Sequence, residues 1–174
     1  MNSSNIELSV FHLNIRSLNS KHRLLCQFLE LLHIKFDVII LSEIWSNNIS
    51  YYSNILPGYT FYYDLPATST VGGVGIYVSN AYMHYEINTF KIDSSATTFV
   101  ENIWTEIKKH SKKYIIGGIY RHPNKAVNEF CLKLDEILHI IASHNIPCII
   151  AGDFNIDLSK FKTNDSTSNM LTCY

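Results

Sequence analysis

The chain lacks the signatures of several large functional classes. Its 14 Lys and Arg are matched by 15 Asp and Glu, for a net charge of −1 and a pI near 6.7. That balance excludes a dedicated polybasic nucleic-acid binder. It leaves open an enzyme that grips a phosphodiester through a metal ion and a few local contacts. No stretch approaches the ~20 consecutive apolar residues of a membrane span, so no membrane partner is expected. Met1-Asn2-Ser3-Ser4-Asn5 has neither the basic nor the apolar region of a secretory signal. Cys26, Cys131, Cys148 and Cys173 are widely spaced with no CxxC, and read as reduced core thiols of an intracellular protein. The N-x-S matches at Asn2, Asn48 and Asn164 then read as chance. GxxxxGKS/T, GxGxxG, HExxH and GxSxG are all absent. Phosphate cradling by a P-loop, zinc proteolysis and serine hydrolysis therefore lack their motifs.

What is present is a core. Hydrophobic residues make up 47% and aromatics 13% of 174 residues, enough for one domain. Four apolar, strand-like runs each end in polar, chemically capable residues. Leu8 to Leu13 precedes Asn14, and Val38 to Ser42 precedes Glu43. Tyr114 to Ile119 precedes Tyr120-Arg121-His122-Pro123, and Cys148 to Gly152 precedes Asp153-Phe154-Asn155. Ligands of α/β proteins sit beyond the carboxyl ends of strands, so four such ends can build one site.

The elements follow from periodicity and punctuation. Strands are predicted over 6–14, 37–43, 59–63, 73–78, 82–90, 97–107, 113–120 and 148–153, with a basic hairpin tip from Lys108 to Lys113. The near-continuous apolar run at 37–43 reads as a strand buried on both faces. Gly73 and Gly75 soften the fourth strand and mark a close approach of backbone or ligand. Ser20 is placed as the cap of a helix from Lys21 to His33, with an apolar stripe of Leu24, Leu25, Phe28, Leu29 and Leu32. Asn124 is placed as the cap of a second helix to His144, with Val127, Phe130, Leu134, Ile137, Leu138 and Ile141 inward. Residues 44–57 read as irregular, and 158–174 as a polar tail. Both helices are expected on the outer faces of the sheets, with Phe28 and Leu134 buried. The order of elements gives a mixed, layered α/β architecture.

Each candidate residue has a functional and a plain reading. Glu43, at the rim of a buried strand, suits a hard divalent cation, or is a solvated acid or a cap of the Trp45 loop. Asp153 and Asn155, two apart, present a carboxylate and an amide to one substrate group, or form an Asx-type turn. Asn14 is a neutral donor or ligand, or a turn residue with Arg16 and Ser17. Tyr120 and Arg121 offer a phenol and a phosphate-binding fork, or packing plus a solvated charge. The aromatic run Tyr59 to Tyr63 is a sheet face or a base-stacking platform.

Taken in order, these segments resemble the endonuclease/exonuclease/phosphatase superfamily. The nearer resemblance is to the apurinic-endonuclease-like domain of non-LTR (LINE-type) retrotransposons, a domain associated with reverse transcriptase. The residues that carry it are His12-Leu13-Asn14-Ile15-Arg16-Ser17-Leu18, Asp37 to Trp45, Gly72 to Val78, Gly118 to Pro123, and Gly152-Asp153-Phe154-Asn155. The resemblance implies a DNase I-like α/β sandwich of two mixed β-sheets flanked by helices. It implies Mg²⁺- or Mn²⁺-dependent nicking of DNA in the nucleus. Glu43 and Asn14 would hold the metal, and Asp153 would orient the attacking water. Asn155 and Tyr120 would contact the scissile phosphate, and Arg121 would contact phosphate or give structural support.

The departure lies at the C-terminus. The family continues into further strands and a Ser-Asp-His motif, whereas no His follows His144 here. The chain is therefore expected to be a single domain lacking its C-terminal part, with motifs over 8–157 and weak or absent activity. His122 is the nearby candidate to replace the missing His. The rival expectations are a non-catalytic remnant or binding module, and another phosphoesterase of the superfamily acting on a small or lipid phosphate.

Overall fold

The computed structural model describes residues 8–46, 49–67, 69–94 and 99–157. Two four-stranded sheets face each other. The first contains β1 (Val10–Asn14), β2 (Val38–Ser42), β3 (Tyr59–Asp64) and β4 (Val74–Ser79), in the order β1-β2-β4-β3. The second contains β5 (Met83–Glu86), β6 (Val100–Lys109), β7 (Lys112–Arg121) and β8 (Cys148–Asp153), in that order. Both sheets are mixed. β1 runs parallel to β2 and β7 parallel to β8, while the other pairs are antiparallel. Helices α1 (Leu18–Leu32) and α3 (Val127–Ser143) make the two parallel crossovers, as such pairs require. This is the DNase I-like sandwich expected from the sequence.

Strand alternation builds the layers. Val38 and Ile40 of β2 point between the sheets, to meet Ile103, Ile107, Ile116 and Tyr120. Ile39 and Leu41 point the other way, to α1 through Leu18 and Leu25. Every residue of β2 is buried, which is why its sequence shows no alternation. On the second sheet Trp104, Ile115 and Ile119 pack under Phe130, Leu134, Ile137 and Ile141 of α3.

Three local expectations are corrected. Helix α1 starts at Leu18 and is capped by Ser17, whose hydroxyl accepts from Ser20 N. The backbone explains the earlier start: Ser17 N donates to Glu43 O and Leu18 N to Ile44 O, both at 2.8 Å. Leu18 and Leu25 face inward, whereas Phe28 is 43% exposed, resting on the Phe11 ring at 5.8 Å. Leu134 is buried as expected. Helix α3 starts at Val127 without a side-chain cap, and Asn124 adopts a left-handed turn conformation (φ 61°) before it. The stretch 44–57 contains a short helix, α2 (Ile49–Tyr52). The tail 158–174 and Cys173 lie outside the described residues; Cys26, Cys131 and Cys148 are free thiols.

Candidate active site

Parallel pairing brings the carboxyl ends of β1 and β2 to one edge of the first sheet, with Asn14 beside Ser42. The same pairing sets Asp153 of β8 beside Tyr120 of β7. The two edges meet. The Asn14 amide Nδ2 donates to Glu43 Oε1 and to Asp153 Oδ2, each at 2.7 Å. One amide nitrogen thus ties a carboxylate from each sheet, and the two oxygens lie within twice that distance of one another. Glu43 is buried and sits in the left-handed region (φ 57°), as do Arg16, Ser17, Trp45 and Asn155 around it. Strained backbone of this kind concentrates at functional sites.

No lysine, arginine or histidine among the described residues lies within ion-pair distance of Glu43 or Asp153. Two negative charges are held close by a neutral group. Their effect is felt by Tyr120, which is buried beside them. Burial first, then the charges of Glu43, Asp153 and Glu101, push its phenol up to about 12. The phenol is therefore protonated at neutral pH and acts as a donor. His12, two residues before Asn14 and hydrogen-bonded to Ser42 Oγ at 3.1 Å, is shifted the other way. Burial lowers its pKa, opposed by Asp153, so its imidazole is neutral at pH 7.

Asp153 and Asn155 form the turn that is one of their two readings. Asn155 N donates to Asp153 Oδ1 at 3.1 Å, an Asx-type turn, while Asp153 Oδ2 faces the site. Asn155 is exposed, and its Nδ2 donates to Arg121 O at 2.7 Å.

Of its two readings, Arg121 takes the structural one. Its side chain is 1% exposed, and its guanidinium donates to the carbonyls of Phe154, Lys125 and Asn155. With these donors turned onto backbone, it braces the segment after Asp153. The sequence reading also missed Glu101. It is 3% exposed on β6, directly opposite Tyr120. It accepts from Gly73 N at 3.1 Å and from His122 Nε2 at 2.9 Å. A carboxylate among Val100, Asn102 and Ile103 looks like an outward position of an alternating strand; only the β6–β7 register turns it inward.

The model of the endonuclease/exonuclease/phosphatase family matches residues 10–172. The chain belongs to this family. No curated protein matches it. Its solved structural neighbours in the fold include the endonuclease domain of TRAS1, a telomere-specific non-LTR retrotransposon. That domain is 12% identical, with a TM-score of 0.67 over 94% of this chain and 69% of that one. The AP endonuclease LMAP from Leishmania major is 16% identical, with a TM-score of 0.66 over 93% of this chain and 60% of that one. Truncated Caenorhabditis elegans TDP2 is 17% identical, with a TM-score of 0.63 over 91% of this chain and 66% of that one. This member of the endonuclease/exonuclease/phosphatase family thus spans 60% to 69% of the length of these three structures. No helix among the described residues is long and apolar enough to cross a membrane.

Proposed function

We propose that this chain is a Mg²⁺-dependent phosphodiesterase domain of the DNA-nicking, retrotransposon type, acting in the nucleus. The observation that carries the reading is the single Asn14 amide holding the Glu43 and Asp153 carboxylates together beside a protonated Tyr120. Support for DNA as partner comes from the retrotransposon endonuclease and from D. rerio TDP2, whose structure was solved with a single-strand DNA product.

The donor set fits Mg²⁺ or Mn²⁺. Among the described residues no three of His, Cys, Asp and Glu gather, so there is no closed cage of the structural zinc kind. Mg²⁺ asks for one or two carboxylates and keeps several waters, and it prefers oxygen. Glu43 would hold the ion, with Asn14 offering Oδ1. When bound, the ion stabilises charge on the phosphoryl oxygens and on the leaving 3′ oxygen.

The chain's own groups supply the rest. Asp153, oriented by Asn14 and by Asn155 N, would position the attacking water and take its proton. Tyr120 would donate a hydrogen bond to a phosphoryl oxygen and keep its proton. One of the two Nδ2 hydrogens of Asn155 is held by Arg121 O, and the other would reach the same phosphate. Among the described residues only two carboxylates meet at Asn14, and the neutral His12 is hydrogen-bonded to Ser42. Turnover by this chain is therefore expected to be weak. A second reading within the family is hydrolysis of a smaller phosphate ester, favoured by the near-neutral charge of the chain.

The test is relaxation of supercoiled plasmid in Mg²⁺ beside an EDTA control, with Mg²⁺ binding followed by calorimetry. Slow, EDTA-sensitive nicking is expected. Hydrolysis of a small phosphodiester without nicking would favour the second reading. A chain that neither binds Mg²⁺ nor nicks would be a non-catalytic remnant.

A further inference from the structure

We propose that Glu101 and His122 form a positioning pair that fixes the gap between the Glu43 loop of one sheet and Tyr120 of the other. The inference rests on the phosphodiesterase reading above and names residues which that reading does not use.

The pair begins with a buried charge. Residues directly opposite in an antiparallel pair share a face, so Glu101 and Tyr120 both project between the sheets. A carboxylate there is costly unless it is hydrogen-bonded. Glu101 Oε2 accepts from Gly73 N of the first sheet and from His122 Nε2 just past β7 of the second. Oε1 lies 3.1 Å from the same imidazole nitrogen. One carboxylate thus joins the two sheets next to the site. Facing a carboxylate, Nε2 carries a proton.

Each partner of Glu101 leads to a site residue. Gly73 O accepts from Ile44 N at 3.3 Å, and Gly72 O accepts from Trp45 N at 3.0 Å. These two bonds hold the loop that carries Glu43 in its left-handed conformation. On the other side the His122 ring meets Tyr120 edge-on at 4.9 Å and Phe99 at 5.4 Å. His122 is thus wedged between Phe99 and the catalytic phenol. The fit is tight: a Cβ on Gly72 would fall 2.8 Å from His122 Nε2, and both glycines have positive φ (119° and 84°). Glu101 therefore pulls on the Glu43 loop and on the Tyr120 ring at once. A misplacement of about 1 Å at a reacting centre costs on the order of 10²-fold in rate.

The experiment compares the 174-residue chain with Glu101→Ala, Glu101→Gln and His122→Phe. Glutamine keeps one oxygen for Gly73 N and His122 Nε2. Phenylalanine keeps the ring contact with Tyr120 but loses the bond to Glu101. Imidazole ¹⁵N spectra report the tautomer of His122, Tyr120 ring resonances report its position, and plasmid nicking in Mg²⁺ gives kcat and KM. The expected wild-type tautomer is protonated at Nε2. Glu101→Ala and His122→Phe should move the Tyr120 resonances and lower kcat about tenfold or more with little change in KM. Glu101→Gln should restore both. Unmoved Tyr120 resonances and kcat in Glu101→Ala and His122→Phe would overturn the pair, as would a Gln variant as impaired as Ala. A wild-type chain that does not bind Mg²⁺ would defeat the phosphodiesterase reading instead, and the Tyr120 resonances would still decide the positioning.

Discussion

Strand β2 carries a carboxylate at each end, and the two are treated oppositely. At one end Asp37 accepts from Ser9 N and Oγ, from the Tyr82 hydroxyl and from Lys109 Nζ, all between 2.7 and 2.9 Å. Its charge is paired and its lone pairs are filled. At the other end Glu43 faces a second carboxylate, Asp153, across one neutral amide, in a strained backbone conformation. The first arrangement ties the sheets together: Asp37 precedes β2 and Lys109 ends β6. The second concentrates negative charge where strand ends from both sheets converge. The same residue chemistry makes a structural clamp where cations and donors surround it, and leaves an unpaired carboxylate pair, the proposed cation site, where they are withheld.

The largest expected effect lies at the strained end. Glu43→Ala and Asp153→Ala should each lower Mg²⁺-dependent nicking by about 10²–10⁴-fold, the range for loss of acid–base or metal-holding groups. Plasmid relaxation kinetics at fixed Mg²⁺ give the ratio. Asp37→Asn should leave those kinetics near wild type below the melting range. A nicking loss in Asp37→Asn as large as in Glu43→Ala would erase the contrast. Arg121→Ala should act through stability, by about 3 kcal/mol, because it empties a buried position and strips donors from the carbonyls of Phe154, Lys125 and Asn155. Denaturant melts check this. A stable Arg121→Ala protein with a reduced salt dependence of DNA binding would restore the phosphate-binding role.

Most of this architecture is legible in the sequence, and the failures share one cause. β2 and β8 announce themselves because an apolar run followed by Glu43 or Asp153 has no other economical reading. Asn14 was placed at the site by order of motifs, although its two-carboxylate bridge is a tertiary fact. Phe28 and Glu101 are not legible in the sequence, and Arg121 is left there with two readings, because direction, not identity, decides their roles. A guanidinium looks the same in sequence whether it faces phosphate or the carbonyls of a left-handed turn at Asn155. Phe28 lies at the rim of the α1 stripe, against Phe11, and periodicity alone does not tell rim from centre. Glu101 faces inward only through the register of a strand almost twenty residues away.

The clamp end gives the next effect. Burial works against ionisation of Asp37, but Lys109, Ser9 and Tyr82 more than offset it, holding the carboxyl below its ordinary 3.8. A group so depressed stabilises the fold above that value and loses its contribution as pH falls through its folded pKa. Lys109 is raised above its ordinary 10.5, first by Asp37. Its contribution is full below that value and is lost only at higher pH. Asp37→Asn should thus cost about 2 kcal/mol at pH 7, between the values for surface and fully buried pairs. The difference from wild type should shrink below pH 3.8 and again above pH 10.5. Urea melts at pH 3, 7 and 11 test this; a pH-independent difference would mean that the pair's charge contributes nothing.

The smallest effect is the most discriminating, because it reverses sign. Glu43→Gln makes the same neutralising change at the opposite end of β2. Its side-chain oxygen still accepts from Asn14, so the hydrogen bond survives while one of two like charges disappears. In EDTA the variant should be equal to wild type or more stable by about 0.5–1 kcal/mol, the scale of a partly screened repulsion at a few ångströms. Added Mg²⁺ should then separate the two proteins. Wild type gains stability as RT ln(1 + [L]/Kd), whereas the variant, with its ligand charge gone, gains little. Melting temperature plotted against Mg²⁺ concentration should therefore show the two curves crossing. A Glu43→Gln protein destabilised in EDTA to the degree of Asp37→Asn would make Glu43 a second structural clamp, and the convergence of Glu43 with Asp153 a matter of packing.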